Sequence, residues 1–133
     1  MQRSNVAGTP NFRIFECKAT ATIAGLTIAN GHNPGSDGGG IYNTGTLTLA
    51  NCTLSGNSVS SSVAAGYGGG VSNRGTMTIT KCVFSNNRAN YGGGFGTTSG
   101  FSSVSESTFS ANRADYLGSG GGVHHGLGKT DPQ

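Results

Sequence analysis

Acidic side chains are the groups of this sequence best suited to acid–base chemistry, and there are five of them. Enzymes that cleave polysaccharides bring carboxylates together, with or without calcium, beside a base or a nucleophile. Whether any two of these acids can meet depends on the elements that carry them, so their number alone assigns no chemistry. The five are Glu16, Asp37, Glu106, Asp115 and Asp131.

Metal chemistry has few candidates in the sequence. His124 and His125 are adjacent. Neighbouring side chains of an extended chain point to opposite faces, so this pair would need further ligands with suitable spacing. The segment "SDGGGIYN" places Asp37 before its glycines and occurs once, whereas calcium-binding nonapeptides place the acid after the glycines and repeat. We therefore expect no metal and no cofactor.

The composition indicates a folded chain made of strands and turns. The 133 residues include 25 Gly and only 10% charged residues. Thr, Val, Ile and Leu gather into short alternating stretches separated by glycine clusters, a pattern typical of β-strands and turns. No stretch has helical periodicity or the ~20 apolar residues that a membrane-spanning helix needs. The expected fold class is all-β.

The charge distribution argues against nucleic acid as a partner. The net charge of +3 and the pI near 9.0 come from eight scattered basic residues. No run of Lys or Arg and no RNA-binding aromatic motif accompanies them, so we expect no nucleic-acid binding. The opening "MQRSNVAGTPNFRIF" also lacks the apolar core of a secretory signal peptide.

A repeated block organises the chain. "GGGIYNTGTLTLANCTLSGN" occupies 38–57, and "GGGVSNRGTMTITKCVFSNN" occupies 68–87. Within a block the hydrophobic residues alternate, skip one residue and alternate again, which predicts a strand, a corner and a second strand. The fourth block has one residue inserted near Phe101, so either Phe101 or Ser102 takes the place of Leu47.

Blocks of this size bury their hydrophobic residues only by stacking, with strands ~4.8 Å apart in parallel sheets. The sequence therefore predicts a right-handed parallel β-helix, a solenoid of about four coils plus a partial fifth. The expected organisation is a lead-in at 1–14, coils over 15–122 (15–40, 41–70, 71–94 and 95–122), and an incomplete coil and tail at 123–133.

Equivalent positions of successive coils are expected to form ladders through the interior. Two ladders are hydrophobic, and a third consists of turn asparagines that can hydrogen-bond from coil to coil. Cys52 and Cys82 share a further position near disulfide range, where small buried free thiols are the expected state; Cys17 aligns with Asn43 and Asn73 instead. The three ladders are Ile23, Leu49, Ile79 and Val104; Ile28, Leu54, Phe84 and Phe109; and Asn57, Asn87 and Asn112.

The motifs that open and close each unit resemble a known repeat family. "GGGI" and "GGGV", with the later "FSNN" and "FSAN", resemble the GGA[ILV] and FxxN repeats of polymorphic outer membrane proteins. They are equally similar to the extracellular β-helix repeats of large bacterial surface proteins. The likeness covers about residues 15–123, and it implies secretion and a surface role that is often adhesive. In this chain Gly replaces the Ala of the GGA motif in every unit, and Leu54 replaces the Phe of the FxxN motif in the second unit.

The coil register separates the acids. Segments of variable length, 29–40, 55–70, 85–94 and 110–122, follow the repeated blocks. Glu16 falls in the first strand of the first unit and Glu106 at the corner of the fourth. Asp37 and Asp115 lie in variable segments three levels apart. No two are placed as a catalytic pair, so the chain is not expected to be an enzyme. The alternative is a carbohydrate-active β-helix whose catalytic coils lie outside this chain.

Threonines form the sharpest candidate for a binding surface. They align as T-x-T in three successive coils and should face outward from one sheet. This array resembles the flat hydroxyl grid of ice-binding β-solenoids. Threonine is also β-branched and therefore common on exposed strand faces that bind nothing. The array consists of Thr20, Thr22, Thr46, Thr48, Thr76 and Thr78.

Three tyrosines recur near the ends of the variable segments: Tyr67, Tyr91 and Tyr116. Aromatic rings stack well on sugars and on other proteins, and loops on rigid scaffolds often carry recognition. Each ring could equally cover an exposed edge of the core.

Together these features predict a non-catalytic structural or adhesive segment of a secreted or cell-surface protein, and a fragment of a longer solenoid. The expected partners are neighbouring coils of a longer parent chain, glycans or host-surface proteins. Open strand edges at the two ends also favour end-to-end self-association.

Overall fold

Parallel β-strands make up the fold. The structure, a computed structural model, describes residues 13–34, 37–60, 66–115, 121–125 and 129–132, with side chains described up to 123. This part of the chain holds eighteen strands and no helix. In chain order they are β1 (Phe15–Cys17), β2 (Thr20–Ala24), β3 (Thr27–Ala29), β4 (His32–Asn33), β5 (Ile41–Asn43), β6 (Thr46–Ala50), β7 (Thr53–Ser55), β8 (Ser58–Val59), β9 (Val71–Asn73), β10 (Thr76–Thr80), β11 (Val83–Ser85), β12 (Arg88–Ala89), β13 (Phe95–Thr97), β14 (Phe101–Ser105), β15 (Thr108–Ser110), β16 (Arg113–Ala114), β17 (Val123–His125) and β18 (Lys129–Pro132).

The strands stack into four sheets that run along the axis of a solenoid. The first sheet is β1-β5-β9-β13-β17, and the second, which contains the longest strands, is β2-β6-β10-β14-β18. The third sheet is β3-β7-β11-β15 and the fourth is β4-β8-β12-β16. Each coil therefore gives one strand to each sheet, and every pairing is parallel. The predicted all-β parallel solenoid is confirmed.

The coils stack in the register that the hydrophobic spacing indicates. Ile23 pairs with Leu49, Leu49 with Ile79, and Ile79 with Val104. In the fourth coil Ser102, rather than Phe101, takes the place of Leu47, because Ser102 pairs with Met77. The residue inserted into that block is accommodated in the bend before β14, so the second sheet keeps its register.

A continuous core fills the interior of the described coils. The central residues of the hydrophobic ladders, such as Leu49, Ile79 and Phe84, are fully buried. Ile23 and Phe109 lie in the first and fourth coils and are only partly buried, although both pack against this core. The difference arises because a residue in an end coil has a stacked neighbour on one side only.

Two corners per coil depend on backbone in the left-handed region. The extra residue between the second and third strands has a φ of 54° at Asn51, 54° at Lys81 and 51° at Glu106. The next corner uses Asn30 and Gly56 in the same conformation. Gly and Asn adopt this conformation readily, whereas Lys and Glu do so at a cost of roughly 1–2 kcal/mol. Stacking holds these residues in place, since every coil has to turn at the same level.

The variable segments contain regular structure that the sequence did not reveal. Each begins with a two-residue strand of the fourth sheet before its length diverges from that of the others. Two-residue strands are too short to give a periodic signal, so the sequence does not distinguish them from loops. At the far end β17 and β18 continue only the first two sheets, pairing with β13 and β14.

Candidate functional site

The outward face of the second sheet carries the predicted threonine array. Thr20 pairs with Thr46, and Thr46 with Thr76, so three threonines form one column along the axis. A second column runs beside it in the same strands. Its members are Thr22, Thr48 and Thr78. All six side chains are exposed except that of Thr48, which is half-buried.

This surface, which we call the threonine face, has no charged residue at the outward positions of β2, β6, β10 and β14. Its twelve outward positions hold seven Thr, two Ala, two Ser and one Phe: Thr20, Thr22, Ala24, Thr46, Thr48, Ala50, Thr76, Thr78, Thr80, Phe101, Ser103 and Ser105. The fifth strand of the sheet, β18, brings Lys129 and Asp131 into register with Phe101 and Ser103. Phe101 continues the first column and is 48% exposed. A parallel sheet spaces neighbouring strands by ~4.8 Å, so the hydroxyl and methyl groups form a regular grid.

The tyrosine pair lies on another surface, where two variable segments end. Tyr67 and Tyr91 pair as an isolated parallel bridge. Their rings stack with centroids 4.8 Å apart and planes inclined by 19°. Each ring therefore covers one face of the other, which leaves only edges and outer faces for a ligand. Tyr116 lies outside the described residues.

A buried carboxylate, Asp37, lies beside the tyrosines, and the sequence did not reveal its contacts. Asp37 is 6% exposed, and its Oδ1 accepts a hydrogen bond from the backbone N–H of Tyr67 at 3.0 Å. Its Oδ2 accepts from Arg74 Nη2 at 2.9 Å, and this hydrogen bond holds the pKa of Arg74 above its usual value. Arg13 Nη2 donates to the backbone oxygen of Asp37 at 2.7 Å. The carboxylate thus ties three successive coils together, and only the three-dimensional stacking brings these groups into contact.

Two further carboxylates are also engaged by cations. Glu16 pairs with Lys18 at 3.1 Å and with Arg13 at 2.7 Å, and the hydrogen bond from Lys18 contributes most to lowering its pKa. Asp115 lies 3.0 Å from both Arg88 and Arg113, whose strands are adjacent in the fourth sheet. Of these pairs, only Arg88–Asp115 joins two coils, because the partners of Glu16 lie within three residues of it in the chain and Arg113 lies in the same coil as Asp115.

The remaining acids lie apart from these pairs. Glu106 is an exposed corner residue with a φ of 51°. Asp131 belongs to β18, where side chains are outside the described residues. The described part of the chain contains no group of three His, Cys, Asp or Glu residues that could hold a metal ion.

The turn asparagines hydrogen-bond from coil to coil. Asn57 Nδ2 donates to Asn87 Oδ1 at 3.0 Å, and Asn87 Nδ2 donates to Asn112 Oδ1 at 3.0 Å. A second amide pair, which the sequence showed as aligned but did not single out, joins Asn43 Nδ2 to Asn73 Oδ1 at 2.8 Å. Buried polar side chains of this kind are stable only when their partners are in place. Both asparagine sets therefore fix the stacking register.

The cysteines are free thiols in the interior. Cys52 and Cys82 are 1% exposed and Cys17 is 9% exposed. Cys52 and Cys82 occupy equivalent corners, since the backbone N–H after Cys82 bonds to the carbonyl oxygen of Cys52 at 2.9 Å. Burial raises the pKa of the Cys82 thiol, which keeps it protonated and unreactive.

The described part of the chain offers no apolar helix of bilayer-spanning length.

Comparison with known proteins places the fold within a family. No match to this sequence is found among curated proteins or among solved structures. The family model described as right-handed beta helix region matches residues 4–130, and this family contains both enzymes and non-enzymes. Since the match covers nearly all of the sequence and agrees with four parallel stacked sheets, the chain belongs to the right-handed β-helix family.

Proposed function

We propose that this chain is a non-catalytic structural or adhesive segment of a secreted or cell-surface protein, and part of a longer solenoid. The observation that carries the proposal is the threonine face: the twelve outward positions of β2, β6, β10 and β14 hold no charged side chain. The cores of protein interfaces are depleted of charged residues. A flat face that lacks them is suited to contact with an extended partner.

The resemblance to the repeats of polymorphic outer membrane proteins supports a place at the cell surface. The quoted "GGGI", "GGGV", "FSNN" and "FSAN" motifs carry that resemblance. The ion pairs of Asp37 and Asp115 support the structural part of the proposal, because each joins two different coils. In such an arrangement the carboxylates stabilise coil stacking. The partners that suit the proposal are glycans or host-surface proteins.

The adhesive role is tested by comparing two exposed threonines on different faces. Thr76 lies on the threonine face, and Thr108 faces outward from the third sheet. A glycan array and binding to intact host cells would be measured for the wild type, T76K and T108K. We expect the wild type and T108K to bind alike and T76K to bind about tenfold more weakly, since the new ammonium group must be desolvated in the contact.

Two results would contradict the adhesive role. Absence of binding by the wild type, or equal loss in T76K and T108K, would contradict an adhesive threonine face. Thermal melting of both variants serves as the folding control, because both substitutions are at exposed positions.

A second candidate function, ice binding, is favoured by the regularity of the same face. Thr20, Thr46 and Thr76 are in register along the axis, and threonines two apart in one strand are separated by ~6.6 Å. Such a grid can order water in a lattice-like layer. Thermal hysteresis that is present in the wild type and T108K and absent in T76K would establish this function, whereas no hysteresis in the wild type would exclude it.

A further inference from the structure

Two of the three cysteines lie at the same corner of neighbouring coils. Cys52 directly precedes β7 and Cys82 directly precedes β11, and the backbone N–H of Val83 donates to the carbonyl oxygen of Cys52 at 2.9 Å. Paired parallel strands lie ~4.8 Å apart, and a disulfide joins Cα atoms that are about 4.4–6.8 Å apart. Stacking of the second coil on the third therefore brings the two residues within disulfide range.

The two thiols also point the same way. Cys52 Sγ donates to the carbonyl oxygen of Ala50, and Cys82 Sγ donates to that of Thr80, both at 3.4 Å. Each side chain therefore bends back, inside the core, toward the residue two positions earlier in its own coil. Burial is the main cause of the raised pKa of Cys82, and the charge and the side-chain hydrogen bond of Cys52 raise this pKa further. Such an effect needs two neighbouring sulfur atoms.

The third cysteine is placed differently. Cys17 pairs in register with Asn43, which in turn pairs with Asn73. Its position in the coil is therefore occupied by asparagine in the next two coils. Only a change of stacking register would bring Cys17 beside Cys52 or Cys82, so the folded chain aligns one cysteine pair and leaves Cys17 apart.

From this arrangement we infer that Cys52 and Cys82 are a disulfide site, which joins the second coil to the third when the chain folds in the presence of a small-molecule disulfide. One cysteine thiolate attacks the small disulfide and releases one thiol, which leaves a mixed disulfide on the protein. The other thiolate then attacks the protein sulfur of that mixed disulfide and releases a second thiol. The two cysteines lose two protons and two electrons, and the small disulfide takes up both as it becomes two thiols.

Burial determines when this bond forms. Cys52 and Cys82 are each 1% exposed in the folded dithiol form that the structure describes, so a small disulfide reaches them only before the coils close. Exchange among the three cysteines continues until stacking buries the aligned pair. Secretion, which belongs to the proposed function, would supply an oxidising environment. The site itself depends on coil stacking alone and goes beyond the proposed surface role.

Trypsin, which cleaves after Lys and Arg, separates the three cysteines for the test. Cys17 lies in the peptide 14–18, Cys52 in 19–74 and Cys82 in 82–88. The full 133-residue chain would be refolded with oxidised glutathione, alkylated to block the remaining thiols, denatured and digested without reductant. Mass spectrometry then measures the amount of each linked pair. The same oxidation in concentrated urea gives the reference for an unfolded chain.

The ratio of two links decides the outcome. In urea the Cys52–Cys82 and Cys17–Cys52 links should form in similar amounts, because the two loops differ little in length. Under folding conditions we expect the Cys52–Cys82 link to exceed either link of Cys17 by about tenfold or more, since only this pair meets the distance requirement in the stacked coils. A ratio no higher than that in urea would overturn the inference.

The variant C17S shows whether the bond is compatible with the native fold. Oxidised C17S should keep the circular dichroism spectrum of its reduced form and should unfold at a higher urea concentration, because the bond restricts the unfolded chain. C52S treated in the same way is the control and should show no such gain. A linked C17S that loses the native spectrum, or that unfolds more easily than its reduced form, would also overturn the inference. Neither measurement involves glycan or cell binding, so this site and the proposed function fail separately.

Discussion

At the scale of single residues, asparagine does what no hydrophobic side chain in this core can do. Asn87 Oδ1 accepts from the backbone N–H of Asn57 at 2.9 Å, while its Nδ2 donates to the carbonyl oxygen of Leu54 at 2.8 Å. One amide thus provides a donor and an acceptor to the preceding coil, at a corner where strand pairing is interrupted. The same side chain donates to Asn112, so the interaction continues along the axis.

Replacing this amide should reveal its value. N87A leaves the buried N–H of Asn57 and the carbonyl oxygen of Leu54 without their partner. Each unsatisfied buried group costs about 1–3 kcal/mol, so the free energy of unfolding should fall by about 3 kcal/mol. Urea denaturation followed by circular dichroism measures this change.

The neighbouring residue is a suitable control. Asn86 is exposed and has a φ of 54°, a conformation that glycine adopts without strain. N86G should therefore change the free energy of unfolding by a few tenths of a kcal/mol. A loss in N87A no larger than that in N86G would show that the amide ladder does not stabilise the stack.

Single residues also show where reasoning from the sequence reached its limit. Asn57 and Asn87 lie at the same distance from the last hydrophobic residue of their blocks, so the sequence places them at one position of successive coils. Asp37 gave no such signal, since it occurs once and in a segment of variable length. Its partners Tyr67 and Arg74 are 30 and 37 residues away, and only stacking brings them together.

At the scale of elements, the glycine triplets set how closely the coils approach. A Cβ atom at Gly70 would lie 2.5 Å from the carbonyl oxygen of Gly94 and 3.2 Å from the ring of Phe84. One at Gly40 would lie 2.6 Å from the carbonyl oxygen of Gly70. The triplets therefore recur because any side chain at these positions would collide with backbone of the next coil.

This close approach predicts a large effect from a single methyl group. G70A must push the second and third coils apart or distort them, at a cost of about 2–3 kcal/mol in the free energy of unfolding. At Gly25 an added Cβ would meet nothing within 4 Å, although its φ is +67°. G25A should therefore cost only the backbone strain of about 1 kcal/mol. Thermal and urea unfolding of both variants would be compared, and equal losses would contradict a steric role for the triplet.

Elements differ in how well the sequence predicts them. The two strands around the corner of each regular block could be predicted with their register, because alternation and a skipped residue specify both the strands and the corner. The insertion near Phe101 left two registers open, and stacking on Met77 decides in favour of Ser102. The fourth sheet was not predicted, since two-residue strands such as β8 have no period.

At the scale of the whole molecule, the solenoid is a one-dimensional stack in which each coil contacts only its neighbours. Stability in such a stack is approximately a sum of coil terms and interface terms. The inner coils, which contain β6 and β10, have two interfaces each. Among the described residues the first coil has a single interface, and its residues Ile23 and Leu26 are more accessible than their counterparts Leu49 and Cys52.

This asymmetry predicts a gradient of local stability. Hydrogen exchange followed by mass spectrometry should show the slowest exchange in β6 and β10 and the fastest second-sheet exchange in β2, because terminal coils open without breaking a second interface. Equal protection of β2 and β10 would indicate one cooperative unit instead of a gradient.

The transverse strands also determine how the molecule responds to tension. Backbone hydrogen bonds between coils run along the solenoid axis, so a pull on the two ends loads all the interfaces in series and the weakest one opens first. A folded coil such as 15–40 advances ~4.8 Å along the axis, and the same residues span about 90 Å when extended. Each coil that unwinds would become roughly nineteen times longer, so a tether built this way would yield stepwise under load while the remaining coils stay intact.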